Sequence, residues 1–559
     1  MQELRDVYAQ RAISQIPRLL SLQDRSEFSP TYGCFNREFW LCRTLDFPSA
    51  IAQFGVHSLA LVYANEMPGN IYCRQPKILE WILAGINYWI KIQKSDGSFD
   101  EFYPNERGWA GPTGFLLYAM LDSYRMLKEE FPPGLKERFL VAVDKSVRFL
   151  VKYDESGFLA NHHAMALLPI YEAYLVLEDD VILKGFHQRL NHFYQFCYDE
   201  GWCLEYDGAD PGYLSATVSF LGKLYKVFPE DRIYQIIERA IRFSSYFVYP
   251  NGFYGGSMGS RQTLHFYPHG YEIFAPKIPL AAAMADRMLI GLKGGSLVPP
   301  EIQGDRYFLY RIPEFLQSYL EYKPRPSNLP PLPYQREPFE KYFPRARIFI
   351  KKDENVYITV NLAKGGVIKV FDLSSQKLVF NDGGIIGTLD NGQHISTQWV
   401  GPEYEATVEK DCLMIKGQFH YVVSKYFTPL KMIIFRLGMI LLGWHTDLAY
   451  KIKGLIRNLL MTESKTAPVG FTRKIQLEDR RILITDQVNL TGKRRFIQAK
   501  VGDEFAVRYV PQSRYFQSQE LDVEGMYLNR NDLDRLYTGK RLEIKRVLDL
   551  ETGELIRLT

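Results

Sequence analysis

The sequence predicts two architectures in series: an N-terminal (α/α) toroid made of helical hairpins, and a C-terminal antiparallel β-sandwich. Three observations predict it. Residues from about 47 to 322 repeat apolar side chains at three- and four-residue intervals, a polar-Gly-aromatic turn recurs between the helices, and a proline-rich stretch then gives way to period-two alternation.

The helical pattern is clearest over 49–65, 78–93, 113–130, 136–152, 164–177, 213–227 and 232–248. Several of these segments, 81–90 above all, are apolar on more than one face, which requires neighbours on two sides. The turns are Ser95-Asp-Gly-Ser-Phe, Asp154-Glu-Ser-Gly-Phe, Asp199-Glu-Gly-Trp and Pro250-Asn-Gly-Phe. Their glycines, Gly97, Gly157, Gly201 and Gly252, lie 60, 44 and 51 residues apart, about one helical hairpin with its loops. If each unit is one helix up and one down, all four turns open on one rim. That describes an incomplete barrel of helical hairpins with a cleft at one end, a linear α-solenoid being the alternative.

The boundary is a linker at 323–338, Lys-Pro-Arg-Pro-Ser-Asn-Leu-Pro-Pro-Leu-Pro, which can be neither helix nor central strand. It separates a toroid at 1–322 from a sheet domain at 339–559. There the runs beginning at Val356, Gly366, Arg481 and Phe496 alternate as strands, with Asn381-Asp-Gly-Gly and Asp390-Asn-Gly as hairpin turns. Residues 429–461 interrupt the strands with a helical hairpin in which Lys431, Arg436, Lys451, Lys453 and Arg457 stand against Asp447 alone. Such a basic amphipathic insertion either packs on the rest of the protein or makes peripheral contact with an anionic membrane.

Composition narrows the function. A chain of 559 residues exceeds what a single core supports. A net charge of +4 without a basic run argues against nucleic acid. The six cysteines have neither CxxC nor metal-ligand spacing and read as small buried hydrophobes. The N-terminus lacks a basic-then-apolar leader and no apolar run is long enough to span a bilayer, so the expectation is a cytoplasmic protein, with membrane association through 429–461 the variant of it. Oligomeric state is not encoded in any pattern found.

Chemistry-bearing residues concentrate after the turns. The first turn is followed by Glu101, Glu106, Arg107 and Trp109, the second by Asn161, His162 and His163. Trp202, Glu205, Asp207, Asp210 and Tyr213 follow the third, and Arg261, His265, Tyr267 and His269 the fourth. On a common rim all would converge. The plainer reading is that His162 and His163 cap a helix starting at Ala164. His265 and His269 have helical metal-ligand spacing, but Pro268 between them breaks the helix this would need, so no metal is expected.

Asn161-His-His opening a helix, followed 52 residues later by Tyr213 in an Asp-Gly…Pro-Gly-Tyr loop, resembles the heparinase II/III group of polysaccharide lyases and related alginate lyases. Toroid first and sheet domain second is also that family's order. The resemblance implies cleavage of a uronic-acid-containing glycan by β-elimination, with an acidic polysaccharide or oligosaccharide as partner and no cofactor. No ligand spacing indicates a structural metal ion in the sheet domain. The sequence departs from the pattern where Asp210-Pro-Gly-Tyr replaces Ser-Pro-x-Tyr. The family's sheet-domain His or Tyr has only His394, His420 and Tyr421 as candidates.

The proton at C5 of a uronate lies next to a charged carboxylate and is hardly acidic, so the carboxylate needs donors that stabilise an enolate-like transition state. Asn161, helped by His162 or His163, fits that task. Tyr213 would remove the C5 proton, with Arg261 and the loop histidines supplying the positive potential that favours phenolate. Tyr213 itself, Tyr267, His265 or a sheet-domain group would protonate the leaving oxygen. Glu101, Glu106, Arg107, Trp109, Trp202, Glu205, Tyr267 and His269 would bind substrate. Three other readings remain open: a uronate C5-epimerase of exopolysaccharide biosynthesis, a hydrolase using Glu101 or Glu106 with Asp207 or Asp210, and a non-catalytic glycan-binding protein.

Overall fold

The structure is a computed structural model that describes residues 2–155, 157, 159–401, 403–422, 427–457, 464–502, 515–522 and 525–558. Its helices are α1 (Gln2–Ile13), α2 (Ile16–Leu22), α3 (Arg37–Trp40), α4 (Gly55–Ala64), α5 (Pro76–Ile92), α6 (Leu116–Leu127) and α7 (Pro133–Lys152). They continue with α8 (Ala160–Leu177), α9 (Asp180–Phe193), α10 (Pro211–Val227), α11 (Asp231–Ser245), α12 (His269–Phe274), α13 (Pro279–Gly294) and α14 (Asp305–Glu321). From α4 onward every second helix is inner. The helices α4, α6, α8, α10, α12 and α14 neighbour one another in a full circle, and α14 returns to α4. The others pack outside them, α1 against α13 and α14. Inner helices are apolar nearly all round because both the outer layer and the ring interior cover them; α10 is buried from Pro211 through Leu224.

The recurring glycines build the ring. Gly97, Gly157, Gly201 and Gly252 all have φ between +84° and +96°, the left-handed region that favours glycine. The backbone also passes against the helix of the next hairpin. A Cβ on Gly97 would lie 2.1 Å from the Lys145 carbonyl oxygen on α7, and one on Gly201 2.2 Å from that of Arg239 on α11. Gly33 is a fifth member without the sequence signature, at φ +90° and 2.1 Å from the Ala84 oxygen on α5. Ser156 and Phe158 of the second turn lie outside the described residues. Across the third turn Cys197 and Cys203 are joined as a disulfide, which their spacing did not reveal.

The first sheet of the C-terminal part runs in order β1 (Phe339–Phe343), β2 (Ile348–Lys352), β3 (Val356–Asn361), β4 (Val367–Asp372), β5 (Lys377–Asp382), all antiparallel. The second contains β6 (Ile385–Leu389), β7 (His394–Ser396), β8 (Glu405–Glu409), β9 (Cys412–Tyr421), β10 (Thr466–Glu478), β11 (Arg481–Leu490) and β12 (Phe496–Val501). It is completed by β13 (Met526–Tyr527), β14 (Arg541–Asp549) and β15 (Leu555–Arg557), in order β13-β12-β6-β7-β9-β10-β11-β14-β15 with β8 on β9. Alternation divides the first sheet between two cores. Ile358, Val360, Ile368 and Val370 face Leu413, Ile415, Val469 and Ile475 of the second sheet, which makes the sandwich. The intervening Tyr357, Val367 and Phe371, with Ile348 and Ile350, join the toroid core. Hence β3 is buried at every position.

Polar contacts fix this seam. The Tyr357 hydroxyl donates to the Tyr246 carbonyl (2.7 Å), and Asn361 Nδ2 to that of Met258 (2.7 Å). Buried Lys364 donates to the carbonyls of Ser257 (2.9 Å) and Gly259 (2.8 Å), holding the loop that leads to Arg261.

The insertion forms α15 (Pro429–Leu442) and α16 (Thr446–Arg457), docked on the toroid rim; residues 458–461 lie outside the described residues. Asn105 Nδ2 donates to the Met439 carbonyl (3.1 Å), Arg107 to those of Gly443 (3.1 Å) and Trp444 (3.2 Å), and Thr446 Oγ1 to Asp96 (2.8 Å). Phe435 packs edge-on against Tyr103 at 5.0 Å. No helix among the described residues is long and apolar enough to cross a membrane. A last helix, α17 (Arg530–Gly539), precedes β14.

Replacing Lys364 by Met would leave two buried carbonyls without their donor. The expected loss is about 2–4 kcal/mol, read as a lower urea midpoint with an unchanged slope; an unaltered midpoint would show that the seam does not depend on this lysine.

Candidate active site

Inner helices all begin at the glycine-turn rim, so the loops entering them share one end of the ring. The 201–213 loop enters α10 through Asp210, whose Oδ1 accepts from the Tyr213 amide (3.1 Å) and caps the helix. Its Oδ2 accepts from the Arg261 amide (2.9 Å), so one carboxylate ties two site loops together. Gly212 follows because a Cβ there would lie 2.0 Å from the Thr263 carbonyl oxygen. Asp210 is thus a structural cap and not half of an acid pair.

Helix α8 begins at Ala160, a turn earlier than Ala164, which puts Asn161, His162 and His163 inside its first turn. The Asn161 amide N–H and Nδ2 both donate to the Glu205 carboxylate, Nδ2 at 2.8 Å. Glu205 therefore satisfies an orphan helix donor from a neighbouring loop and orients the Asn161 side chain. The Ser260 hydroxyl in turn donates to the Glu205 carbonyl (2.8 Å), which joins the third loop to the fourth. His162 is partly exposed, with Nδ1 3.1 Å from Glu155 Oε2.

His163 points the other way. It is buried between Trp109, His192 and Phe196, and neither ring nitrogen has a hydrogen-bond partner. Burial pushes its pKa down to about 4, keeping the imidazole neutral. It cannot help Asn161 as a cationic donor. With Asp154 and His192 it forms a group whose donor atoms lie within 4.8 Å of one another, the one such grouping among the described residues. Arg189 Nη1 already sits 2.6 Å from Asp154 there and supplies the positive charge a metal would bring.

The Tyr213 ring is buried, and its pKa is pushed well above the phenol range, first by burial and then by Tyr307, Tyr206, Asp210 and Glu205. Arg261 does not offset this. Its Nη2 bonds Asp207 (3.2 Å) and its guanidinium stacks 4.0 Å over Tyr206. These surroundings disfavour the expected phenolate and favour the neutral phenol.

Around it lies an aromatic cluster. His265 stacks on Tyr307 at 4.8 Å and meets Tyr515 edge-on at 5.2 Å. Tyr267 lies under the Arg311 guanidinium, 4.8 Å away, with its amide on Ser215 Oγ (3.0 Å). Tyr310 meets Tyr307 at 5.7 Å, and Arg306 bonds Glu101 and lies over both tyrosines. The sequence reading missed Arg306, Tyr307, Tyr310 and Tyr515. The first three open α14 after Gly304, a rim position with no polar-Gly-aromatic turn to mark it.

Several expected substrate residues have other tasks. The Glu106 carboxylate accepts from the amides of Glu101 (3.0 Å) and Phe102 (2.7 Å); burial, opposed by Lys453, raises its pKa to about 7. Arg107 pairs with Asp96 and holds α15–α16. Trp109 is core, donating to the Leu150 carbonyl (3.2 Å). Trp202 donates to Glu200 (2.9 Å) and lines a separate cavity of about 730 Å³ with Tyr198, Glu230 and Arg239. His269 belongs to a buried network, its amide on Glu314 (3.0 Å) and Nε2 3.6 Å from Glu321.

Nor do the sheet-domain candidates join the cluster. His394 bonds Thr388 on an exposed hairpin (2.9 Å), and His420 is buried on the Trp399 ring (4.9 Å) beside Glu403. Tyr421 pairs with Ile395 in the sheet. Among the described residues of the sheet domain, Tyr515 reaches the cluster, edge-on to His265.

No protein-family model matches the chain, and no curated protein matches it in sequence. Solved structures do match. The chondroitin AC lyase of Streptomyces coelicolor A3, solved in complex with chondroitin sulphate, superposes with a TM-score of 0.52 at 9% identity, over 89% of this chain and 68% of that one. A tyrosine-to-alanine variant of that enzyme gives 0.50 over the same shares, again at 9% identity. The heparan sulfate lyase of Pedobacter heparinus gives 0.39 at 11% identity, over 89% and 71%. The chain thus shares its fold, a helical toroid followed by a β domain, with chondroitin AC lyase.

The depressed His163 pKa has a measurable sign. As pH falls from about 6.5 towards 4 an unfolded-state histidine takes up a proton that folded His163 refuses, so its contribution to stability falls across that window. His163→Phe, which keeps the ring stack, should flatten the melting-temperature profile between pH 6.5 and 4; an unchanged slope would place the acid sensitivity elsewhere.

Proposed function

We propose that the chain is a polysaccharide lyase that cleaves a uronic-acid-containing glycan by β-elimination. The observation that carries this reading is the connection of Asn161, Tyr213 and Arg261 through Glu205 and Asp210, at the end of the ring where the inner helices begin. Helix N-termini favour anions, and the likeness in fold to chondroitin AC lyase supports the class.

In this reading one Asn161 amide proton is held by Glu205, and the other binds the uronate carboxylate and strengthens its hold as the enolate develops. Arg306, ion-paired with Glu101 and partly exposed, lies on the same rim and would offer its remaining N–H groups to the glycan. His162 removes the C5 proton: Glu155 holds Nδ1 and leaves the Nε2 lone pair free, the usual way an imidazole base is set. The electron pair forms the C4–C5 double bond, the C4–O bond breaks, and the Tyr213 phenol gives its proton to the departing oxygen. A buried phenol suits the acid role better than the base role first expected for it. The same rim and the same deprotonation would serve an epimerase of exopolysaccharide biosynthesis, so product chemistry is part of the test.

Purified protein incubated with uronate polysaccharides should release products with the ultraviolet absorbance of a conjugated unsaturated uronate. Deuterium uptake at C5 without cleavage would instead assign an epimerase. Tyr213→Phe should lower kcat by roughly 10²–10⁴-fold and Asn161→Ala by roughly 10²–10³-fold, with circular dichroism unchanged. Near-wild-type turnover in Tyr213→Phe would sink the proposal.

The pH profile separates the two proton-transfer assignments. With a base other than Tyr213, whose surroundings disfavour phenolate, the acidic limb of kcat/KM should persist at lower amplitude in Tyr213→Phe. A limb confined to alkaline pH and lost in that variant would assign the base to the tyrosine.

A further inference from the structure

Helix α15 is apolar on two faces, and the fold uses one. Phe435 and Met439 turn inward, Phe435 against Tyr103 and Met439 fully covered. The outward stripe is a second helical series, Leu430, Ile433, Ile434, Leu437 and Leu441, each between 54% and 71% exposed. Trp444, at the corner before α16, is 72% exposed although its carbonyl is held by Arg107. A continuous stripe of this kind is unusual on a soluble surface without a partner.

The charges say which partner. Helix α15 contains Lys431 and Arg436 and no acid. The hairpin's single acid, Asp447, accepts from the Tyr153 hydroxyl (3.1 Å). Arg436 lies 3.3 Å from Asp46, and Lys453 3.8 Å from Glu106. Lys431 and Lys451 are exposed and have no ion pair among the described residues. An apolar stripe with an indole at its end and unpaired lysines beside it is complementary to the interface of an anionic bilayer. A protein partner would instead be expected to meet acids as well as bases. At 14 residues α15 is too short to span a bilayer, so it would lie in the interface plane.

We propose that the α15–α16 hairpin is a membrane-surface anchor that seats its outward stripe in an anionic lipid leaflet. Its inner side is fastened to the 99–109 loop through Asn105 and Arg107, and Glu101 of that loop holds Arg306. The anchor therefore fixes the rim of the candidate site against the lipid, where a glycan still attached to a membrane carrier or newly made at the membrane would be met. The anchoring itself does not depend on the lyase reading.

The test is co-sedimentation of the full chain with vesicles of mixed phosphatidylcholine and phosphatidylglycerol, and with pure phosphatidylcholine. The wild type should pellet with mixed vesicles, with a blue shift of tryptophan fluorescence that Trp444→Phe removes. The double variant Ile434→Glu/Leu441→Glu should lose partitioning by tenfold or more, and Lys431→Gln and Lys451→Gln roughly fivefold each. Circular dichroism should be unchanged in all of them. Equal partitioning of wild type and double variant would overturn the proposal. So would a wild type that ignores vesicles but sediments as a dimer which the double variant converts to monomer, since the stripe would then face a second copy of the chain.

Discussion

The ring depends on one steric constraint, the contact of a left-handed glycine with the backbone of the next hairpin. At Gly33, Gly97 and Gly201 any side chain would strike a carbonyl about 2 Å away. Only glycine reaches that conformation without cost, and only glycine admits so close an approach. Each contact fixes where one hairpin ends and the next begins, so the inner helices all start at the same rim. The chemistry-bearing loops inherit their common position from this and not from attraction among themselves.

The sheet domain closes the arrangement through a strand that serves two cores. With β3 buried on both faces, the first sheet is at once half of the sandwich and a lid on the toroid. Asn361 and Lys364 lie just where β3 ends and bind the 257–259 backbone, next to the Asp210–Arg261 junction. Sandwich and candidate site are therefore mechanically joined. Tyr515 reaching the aromatic cluster is a second such link.

Much of this was legible in the sequence because turn chemistry and periodicity are local. The polar-Gly-aromatic turns, the shift of period after the prolines and the helical insertion each follow from a few adjacent residues. What escaped was non-local. The start of α8 was misplaced because its first turn is stabilised by Glu205 from another loop, and no neighbouring residue advertises that. Gly33 lacks the signature but meets the same constraint. Arg306 and Tyr515 enter the site by topology alone, from α14 and from the far end of the sheet domain. Roles were harder still: Trp109, Arg107 and Glu106 have the composition of a glycan site, yet burial and the α15–α16 hairpin claim them.

Electrostatics revises the mechanism more than the fold does. A tyrosine base needs its phenolate stabilised, and that requires a cation with nothing else to neutralise. Arg261 is the nearest candidate in sequence terms, but Asp207 and Tyr206 hold it, and the groups around Tyr213 all disfavour charge. By contrast His162 has what an imidazole base requires: partial exposure, a carboxylate on one nitrogen and Asn161 as its neighbour. The division of labour follows from burial. On the proposed lyase reading, the deeply placed phenol would keep its proton to give, the more exposed imidazole would take one, and the glycan carboxylate would be received where helix N-termini and Asn161 meet it.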